Sequence, residues 1–379
     1  MEFLALLVII AVIFFAEHII YLKYGMTKIE YKCSFSTDEA YEGDEIEFTE
    51  EISNAKLLPV CWLKSELTSS KWLDMAELES VVTGNTRFIS SIFMLRSYHK
   101  ICRRWKVKCL KRGVFSIEKT TLVASDLFGT ETLSMPVKLD AFVRVLPVPL
   151  PADSFTDDRN SFLNGDVFVK RQLVSDPFFY NGIHEYFPGD SMKKICWKAT
   201  AAADELMVYT NDYTAEKSAA VILNCQSMEN EFGNPHDEAA LEICIKIAAS
   251  ILNEFSEKGV PFGLLSNGRI TDEPEPVISE IRTNQLIEDL RVLAELRFDA
   301  CVSFGEFLNT FCLNLTQTDI YIVTPYIDDN TIAFAEAKAG TVIVTTGGIP
   351  DNMPCGINVI STGRNFSGIE KAEETEGTQ

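Results

Sequence analysis

Residues 3–22 are almost wholly apolar, and a helix that is apolar on every side must be covered either by a large protein core or by lipid. About twenty residues suffice for one crossing of the hydrocarbon layer. Glu17 and His18 interrupt the run near its end, where such groups can snorkel to the interface or line a helix contact. A cleavable signal peptide would want a basic stretch before the apolar run and a small-residue cleavage site, and neither is there. We therefore expect an uncleaved, single-pass anchor over residues 1–24 in the cell membrane. Lys23, Lys28 and Lys32 follow the span while only Glu2 precedes it. The positive-inside rule then puts the bulk of the chain in the cytoplasm.

The 379 residues leave room for two or three domains beyond the anchor. A net charge of −21 argues against a nucleic-acid backbone as partner, because phosphate binding needs a cationic field. The ten cysteines are scattered, without a C-x-x-C pair, which suits free thiols in a reducing compartment better than a disulfide framework or a zinc site.

Over residues 25–147 short alternating runs are punctuated by turn residues, as in Glu42-Gly43-Asp44 leading to Ile46, Phe48 and Glu50. This pattern predicts an antiparallel β-sandwich. One strand has Trp105, Val107 and Cys109 on one face and Arg104, Lys106 and Lys108 on the other. With Arg96, Lys100, Arg103, Lys111 and Arg112 it makes a local basic patch, either a solvated strand face or an attachment surface for an anionic leaflet or acidic partner. Residues 147–159, rich in Pro and Asp, open a linker that runs with the segment described next over residues 148–216. Over residues 217–363 apolar strands (219–223, 260–265, 320–323, 341–344) alternate with amphipathic helices (237–258, 280–296, 304–313, 331–339). That order predicts an open, mostly parallel α/β sheet with helices on both faces. The acidic residues 364–379 are expected to be disordered.

The densest stretch lies between these parts: Gly182, Glu185-Tyr186, Pro188-Gly189-Asp190, Lys193-Lys194, Ile195 and Trp197-Lys198-Ala199-Thr200-Ala201. Pro then Gly then Asp suits a tight turn. Three readings stay open: a structural corner in which Trp197 packs and Asp190 satisfies the turn, a partner-contacting surface, or a catalytic corner. The series resembles the signature of the bacterial and archaeal "domain of unknown function 58" family. Lys111-Arg112-Gly113-Val114-Phe115 and Asp126-Leu127-Phe128-Gly129 are similar to the segment preceding it. His184, Lys193 and Lys194 stand where that family usually has Arg, and Lys cannot supply the planar guanidinium fork. The resemblance implies a membrane-anchored protein with a von Willebrand factor A-like C-terminal domain, working with MoxR-type AAA+ ATPases. Glu185, Tyr186, Asp190, Lys193, Lys194, Trp197 and Lys198 are the partner-binding candidates.

Domains of the von Willebrand A type often hold Mg²⁺ through Asp-x-Ser-x-Ser after the first strand. Here the corresponding positions are Asn224, Gln226 and Met228, which bring no charge and one soft thioether, so a degenerate site without metal or cofactor is expected. Glu229, Asp319, Asp328 and Asp329 could supply carboxylates near the sheet's carboxyl edge. No phosphate-cradling glycine loop and no Gly-x-Ser-x-Gly elbow occurs. His184 beside Glu185 could form an acid/base pair, although neighbours on an extended segment point opposite ways. The expectation is a non-catalytic scaffold or docking protein without a small-molecule substrate. The alternatives are a ligand binder with an unconventional divalent-ion site and a hydrolase around His184 and Glu185.

Overall fold

The computed structural model describes residues 2–75, 80–126, 129, 131–150, 180–187, 192, 195–203, 205–211, 218–229, 231, 233, 235–270, 275–313, 315, 318–338, 340–350, 353, 354 and 356–362. The chain forms two compact units, Met1–Pro149 with Ile287–Leu296, and Leu150–Leu286 with Arg297–Gln379. The expected acidic tail lies outside the described residues.

The first unit begins with helix α1 (Glu2–Tyr24), whose stretch Leu6–Tyr24 is long and apolar enough to cross a membrane, with a mean hydropathy of 2.2. Ten strands follow: β1 (Ile29–Phe35), β2 (Glu39–Tyr41), β3 (Glu45–Asn54), β4 (Val60–Ser70), β5 (Leu73–Asp74), β6 (Ser80–Thr83), β7 (Thr86–Leu95), β8 (Lys100–Cys109), β9 (Gly113–Ser125) and β10 (Thr132–Leu146). They form a four-stranded sheet in the order β1-β3-β8-β5 and a six-stranded sheet in the order β2-β10-β9-β4-β7-β6. All pairings are antiparallel except β2 with β10. Alternation along each strand sends one set of side chains inward. Phe48 and Ile52 from β3, Leu63 from β4, Phe93 from β7 and Val143 from β10 meet in one buried cluster fed by both sheets.

The parity of β8 is as expected, with Val107 and Cys109 buried and Arg104, Lys106 and Lys108 exposed. Its basic stripe is not an isolated field, however. Glu45 lies opposite Lys108 and Glu47 opposite Lys106 on β3, the cross-strand arrangement that opposite charges favour. Arg112 leaves the patch altogether: it is buried, and its Nη1 donates to the carbonyls of Leu293 (2.7 Å), Ala294 (3.3 Å) and Leu296 (3.0 Å).

The second unit opens with β11 (Tyr180–Glu185), α2 (Trp197–Ala203) and β12 (Met207–Asn211). Then come β13 (Ser218–Leu223), α3 (Glu238–Glu257), β14 (Phe262–Ser266), β15 (Gly268–Arg269) and β16 (Val277–Ile278). Helix α4 (Leu286–Glu295) supplies the residues that group with the first unit. The chain returns through β17 (Arg297–Ala300), α5 (Phe304–Phe307) with a π turn over Leu308–Cys312, β18 (Thr318–Thr324), α6 (Asp329–Ala337), β19 (Val342–Thr345) and β20 (Asn358–Ser361). Six of these strands make one sheet in the order β16-β14-β13-β18-β19-β20, parallel throughout except for the antiparallel edge β16. Counting those six along the chain gives the order 3-2-1-4-5-6, so the direction of winding reverses between β13 and β18. β13 is buried along almost its whole length, as a strand covered on both faces must be.

One expected helix is shorter than its pattern. Residues 280–285 do not join α4, because Pro276 and the apolar alternation after it run as an edge segment against β14. Phe262 and Arg282 exchange backbone hydrogen bonds at 3.0 Å, and Gln285 Nε2 donates to the Phe262 carbonyl at 2.7 Å. The cysteines of the described residues are free thiols, five of them buried: Cys109, Cys196, Cys225, Cys244 and Cys312.

Candidate functional site

In open α/β sheets ligands sit beyond the carboxyl ends of the strands, at the point where the winding reverses. Here that point is the turn after β13, facing the end of β18. Its residues are Asn224, Cys225 and Gln226 from the first and Thr324 from the second, with Asn267 arriving from the end of β14. Asn224, Gln226, Asn267 and Thr324 are all buried.

These amides hold one another. Asn224 Nδ2 donates to Thr324 Oγ1 at 3.0 Å, and its Oδ1 accepts from the Gln226 amide at 3.0 Å and from Asn267 Nδ2 at 3.4 Å. Asn267 Oδ1 accepts the Cys225 amide at 2.8 Å, while its Nδ2 also reaches Gln226 Oε1 at 3.3 Å. Gln226 Nε2 donates to the Glu231 carbonyl at 2.6 Å, and Gln226 Oε1 accepts the Phe304 amide at 2.7 Å. Thus the side-chain oxygens of Asn224, Gln226 and Asn267 are engaged with protein N–H groups, and a buried amide set satisfied in this way holds its geometry. Met228 is exposed and outside this set.

The nearest carboxylate is turned the same way. Glu231 Oε2 accepts from the Ser227 amide and hydroxyl, each at 2.7 Å, and Oε1 accepts the His236 amide at 2.6 Å. Burial works against its charge, but these bonds, with one from the Met228 amide, hold its carboxyl below the usual range. Burial pushes the neighbouring Tyr326 phenol up to about 12 in spite of its hydrogen bond with Asn224. Asp328 spends its Oδ1 on the Thr331 amide as the cap of α6, at 2.9 Å. Asp319 follows the first residue of β18 and so lies at the opposite edge of the sheet, not the carboxyl edge. Among the described residues no group of three or more His, Cys, Asp or Glu side chains is placed to hold a metal ion.

Close approach of backbone shapes this edge. A Cβ on Gly347 would sit 2.3 Å from the Pro325 carbonyl oxygen, and one on Gly268 would sit 2.6 Å from Cys225 Sγ. Asn267, Glu231 and Thr324 were not among the candidates drawn from the sequence. The signal for two of them was a polar residue directly at or after the end of an apolar strand.

The signature segment is built around β12. β11 pairs with it on one side, with Glu185 opposite Met207 and His184 opposite Val208. Ile195 bridges Val208, and the Cys196 amide donates to the Met207 carbonyl at 2.8 Å. The Tyr186 amide donates to the Leu206 carbonyl at 2.7 Å, and Thr200 Oγ1 accepts the Met207 amide at 3.0 Å. Ile195, Cys196 and Val208 fill the interior. A hydrogen bond from Tyr209, then the amides of Ala199 and Lys198, hold the Cys196 thiol below its ordinary range.

Trp197 does not pack, contrary to the structural-corner reading. It stands in the first turn of α2 with 70% of its surface exposed, and Phe187 (63%) and Met192 (69%) are exposed with it. Glu185 and Lys198 are exposed and Tyr186 is half-buried. His184 and Glu185 are successive residues of β11 and so face opposite sides. His184 stacks on Phe187 at 6.3 Å between ring centroids. Asp190, Lys193 and Lys194 lie outside the described residues.

Solved structures with some likeness to this chain include a non-cellulosomal cohesin from the archaeon Archaeoglobus fulgidus, at 15% identity over 31% of this chain and 91% of that one, with a TM-score of 0.21. A cohesin module of a Clostridium perfringens family 33 glycoside hydrolase has 13% identity, coverage of 29% and 97%, and a TM-score of 0.19. The sporulation control protein Spo0M of Bacillus subtilis has 10% identity, coverage of 31% and 50%, and a TM-score of 0.19. Likenesses this slight carry no argument. No curated protein matches the chain. Residues 182–290, which hold both the signature and the turn after β13, match the family model described as "Protein of unknown function DUF58".

Proposed function

We propose that the protein is a membrane-anchored, non-catalytic docking protein that works with a MoxR-type AAA+ ATPase in assembling or activating other proteins. In this reading α1 is a single membrane span, the two sheets of the first unit are a β-sandwich, and the second unit is a von Willebrand A-like domain with a degenerate cation site. The observation that carries it is Trp197, an indole left in solvent at the centre of the family signature while its neighbours Ile195 and Cys196 fill the core. Exposed aromatics of this kind are the usual anchors of protein interfaces. The amide network around Asn224, Gln226 and Asn267 supports a recognition role over a metal-dependent one, since its oxygens are already engaged.

The test is capture of a purified MoxR-type AAA+ ATPase by the full chain in detergent, compared with Trp197→Ala and Lys198→Glu. Loss of the ATPase at an unchanged melting temperature is expected. Full retention by both variants would overturn the docking role of this segment. Titration with Mg²⁺, Mn²⁺ and Ca²⁺ is expected to give no binding heat, and tight binding of any of them would overturn the degenerate-site reading.

A further inference from the structure

Helix α1 does not hang from the first unit on a loose tether. Tyr21 is buried, and its hydroxyl donates to the Pro59 carbonyl at 2.8 Å. The Lys56 ammonium, also buried, donates to the carbonyls of Gly25 and Thr27 at 2.7 Å each, closing the end of the helix. His18 Nδ1 lies 3.9 Å from Asp126, just past the end of β9. The Ala55 amide adds a bond to the Lys28 carbonyl at 3.0 Å. The loop over residues 55–59 is in turn joined to the loop over residues 96–99. The Tyr98 amide donates to the Lys56 carbonyl at 3.2 Å, and Asn54 Nδ2 donates to the carbonyls of Leu58 and Arg96 at 3.0 and 3.1 Å.

This joint sets the depth of the protein. Residues 6–16 are exposed, and partial burial begins at residue 17. The stretch long and apolar enough to cross a membrane, Leu6–Tyr24, runs past the level at which Tyr21 meets Pro59, so this end of the unit lies within the reach of the span and its headgroup layer. The neighbouring loops lie at the same depth and present apolar and aromatic groups to the outside: Leu57 at 73% exposure, Tyr98 at 69% and, at the adjoining end of β7, Met94 at 68%. Tyr98 holds φ at 57°, a conformation uncommon for a bulky residue, so the loop is committed to the shape that presents it. Lys23, Lys28 and Arg96, in the same joined segments, are exposed too, and apolar groups mixed with basic ones suit an anionic headgroup layer.

We propose that this end of the first unit is immersed in the interfacial zone of the bilayer, with Leu57 and Tyr98 as its lipid contacts. The proposal rests on the reading of α1 as a membrane span. It fixes the orientation of the first unit on the membrane, with β4, β7 and β9 rising away from the surface.

The experiment places the photoreactive residue benzoylphenylalanine in the full chain, singly at positions 10, 57, 98 and 114. The protein is reconstituted in vesicles of phosphatidylcholine with phosphatidylglycerol and irradiated, and lipid adducts are read by mass. Val114 is the control, at the far end of β9 from Asp126, about 40 Å away at 3.3 Å per residue. Adducts at 10, 57 and 98 and none at 114 are expected. An adduct at 10 with none at 57 and 98 would overturn the immersion and leave the span standing. No adduct at 10 would overturn the span and the immersion together. Adducts at 114 as abundant as those at 57 would also overturn the proposal, because contact would then not be confined to the α1 end.

Discussion

Glu50 should be the most costly polar residue to remove from the first unit. Its side chain is fully buried between the two sheets. Oε1 accepts from the Tyr31 hydroxyl at 2.6 Å and the Ser65 hydroxyl at 3.5 Å, and Oε2 accepts from Trp105 Nε1 at 3.0 Å and the Ser91 hydroxyl at 3.2 Å. Tyr31, Glu50 and Trp105 belong to one sheet, Ser65 and Ser91 to the other, so a single side chain ties both. Glu50→Ala removes the shared acceptor. The three hydroxyls can turn to other acceptors, each loss costing about 0.5–1.5 kcal/mol, but the indole N–H can only donate and is stranded at about 1–3 kcal/mol. Three hydroxyls and one indole together give about 2.5–7.5 kcal/mol. Glu50→Gln differs in a specific way. Its amide oxygen can face Trp105 and Ser91 while its NH₂ faces Tyr31 and Ser65, whose hydroxyls can accept, so a loss of about 1–2 kcal/mol is expected. Urea unfolding of the full chain in detergent micelles, followed by tryptophan emission, measures both. With a slope of about 2 kcal/mol per molar, Glu50→Ala should lower the midpoint of the first unit by ~1.2–3.8 M and Glu50→Gln by under ~1 M. Equal midpoints for the two variants would refute the reasoning, since it depends on the one donor that cannot reverse.

Two further outcomes follow from the contacts of residues 287–296. Arg112→Ala should cost about 2–3 kcal/mol, because it strips a cation from three carbonyls at the end of α4, where the helix dipole favours positive charge. Arg112→Lys should recover only part of that. Hydrogen exchange of the amides in α4 will show the difference, and unchanged exchange in both variants would count against the cap. Glu39 accepts from Arg291 at 2.6 and 3.1 Å and from Arg144 at 2.9 Å. The Arg291 hydrogen bonds first, and then Arg144, hold its carboxyl below the usual range against a small effect of burial. A depressed carboxyl contributes stability that is present above its unfolded value and lost as pH falls through its folded value. Glu39→Gln should therefore flatten the acid limb of a melting-temperature profile below about pH 4.5, by a small amount given its exposure. An acid limb identical in both proteins would remove Glu39 from that role.

What the sequence revealed and what it withheld divide along the range of the interactions involved. Helix α3 and the strands β13, β18 and β19 stand within a few residues of where hydrophobic periodicity put them, because periodicity is a local property. The edge strand β16 was missed for the opposite reason. A two-residue strand has too little pattern to outweigh the helical period that follows it, and only its pairing with β14 defines it. Glu50 shows both sides at once. The alternation Ile46, Phe48, Glu50, Ile52 already puts it on the inward face, yet none of its four donors lies within ten positions of it, so the network that makes burial tolerable is invisible in the pattern.

The turn after β13 follows the same logic one level higher. Asn224, Gln226 and Met228 were legible as residues that bring no charge and one soft thioether, which is a statement of absence. What fills the place instead is Asn267, more than forty positions along the chain, whose side chain accepts from one strand end and donates to both neighbouring amide oxygens. Side-chain amides, each carrying an acceptor and a donor, can interlock in this way, which a carboxylate without a donor cannot. Asn224, Gln226 and Asn267 thus form a buried set that closes upon itself. Trp197 stands exposed in the signature while Ile195 and Cys196 beside it are buried, a division that residue type alone did not reveal.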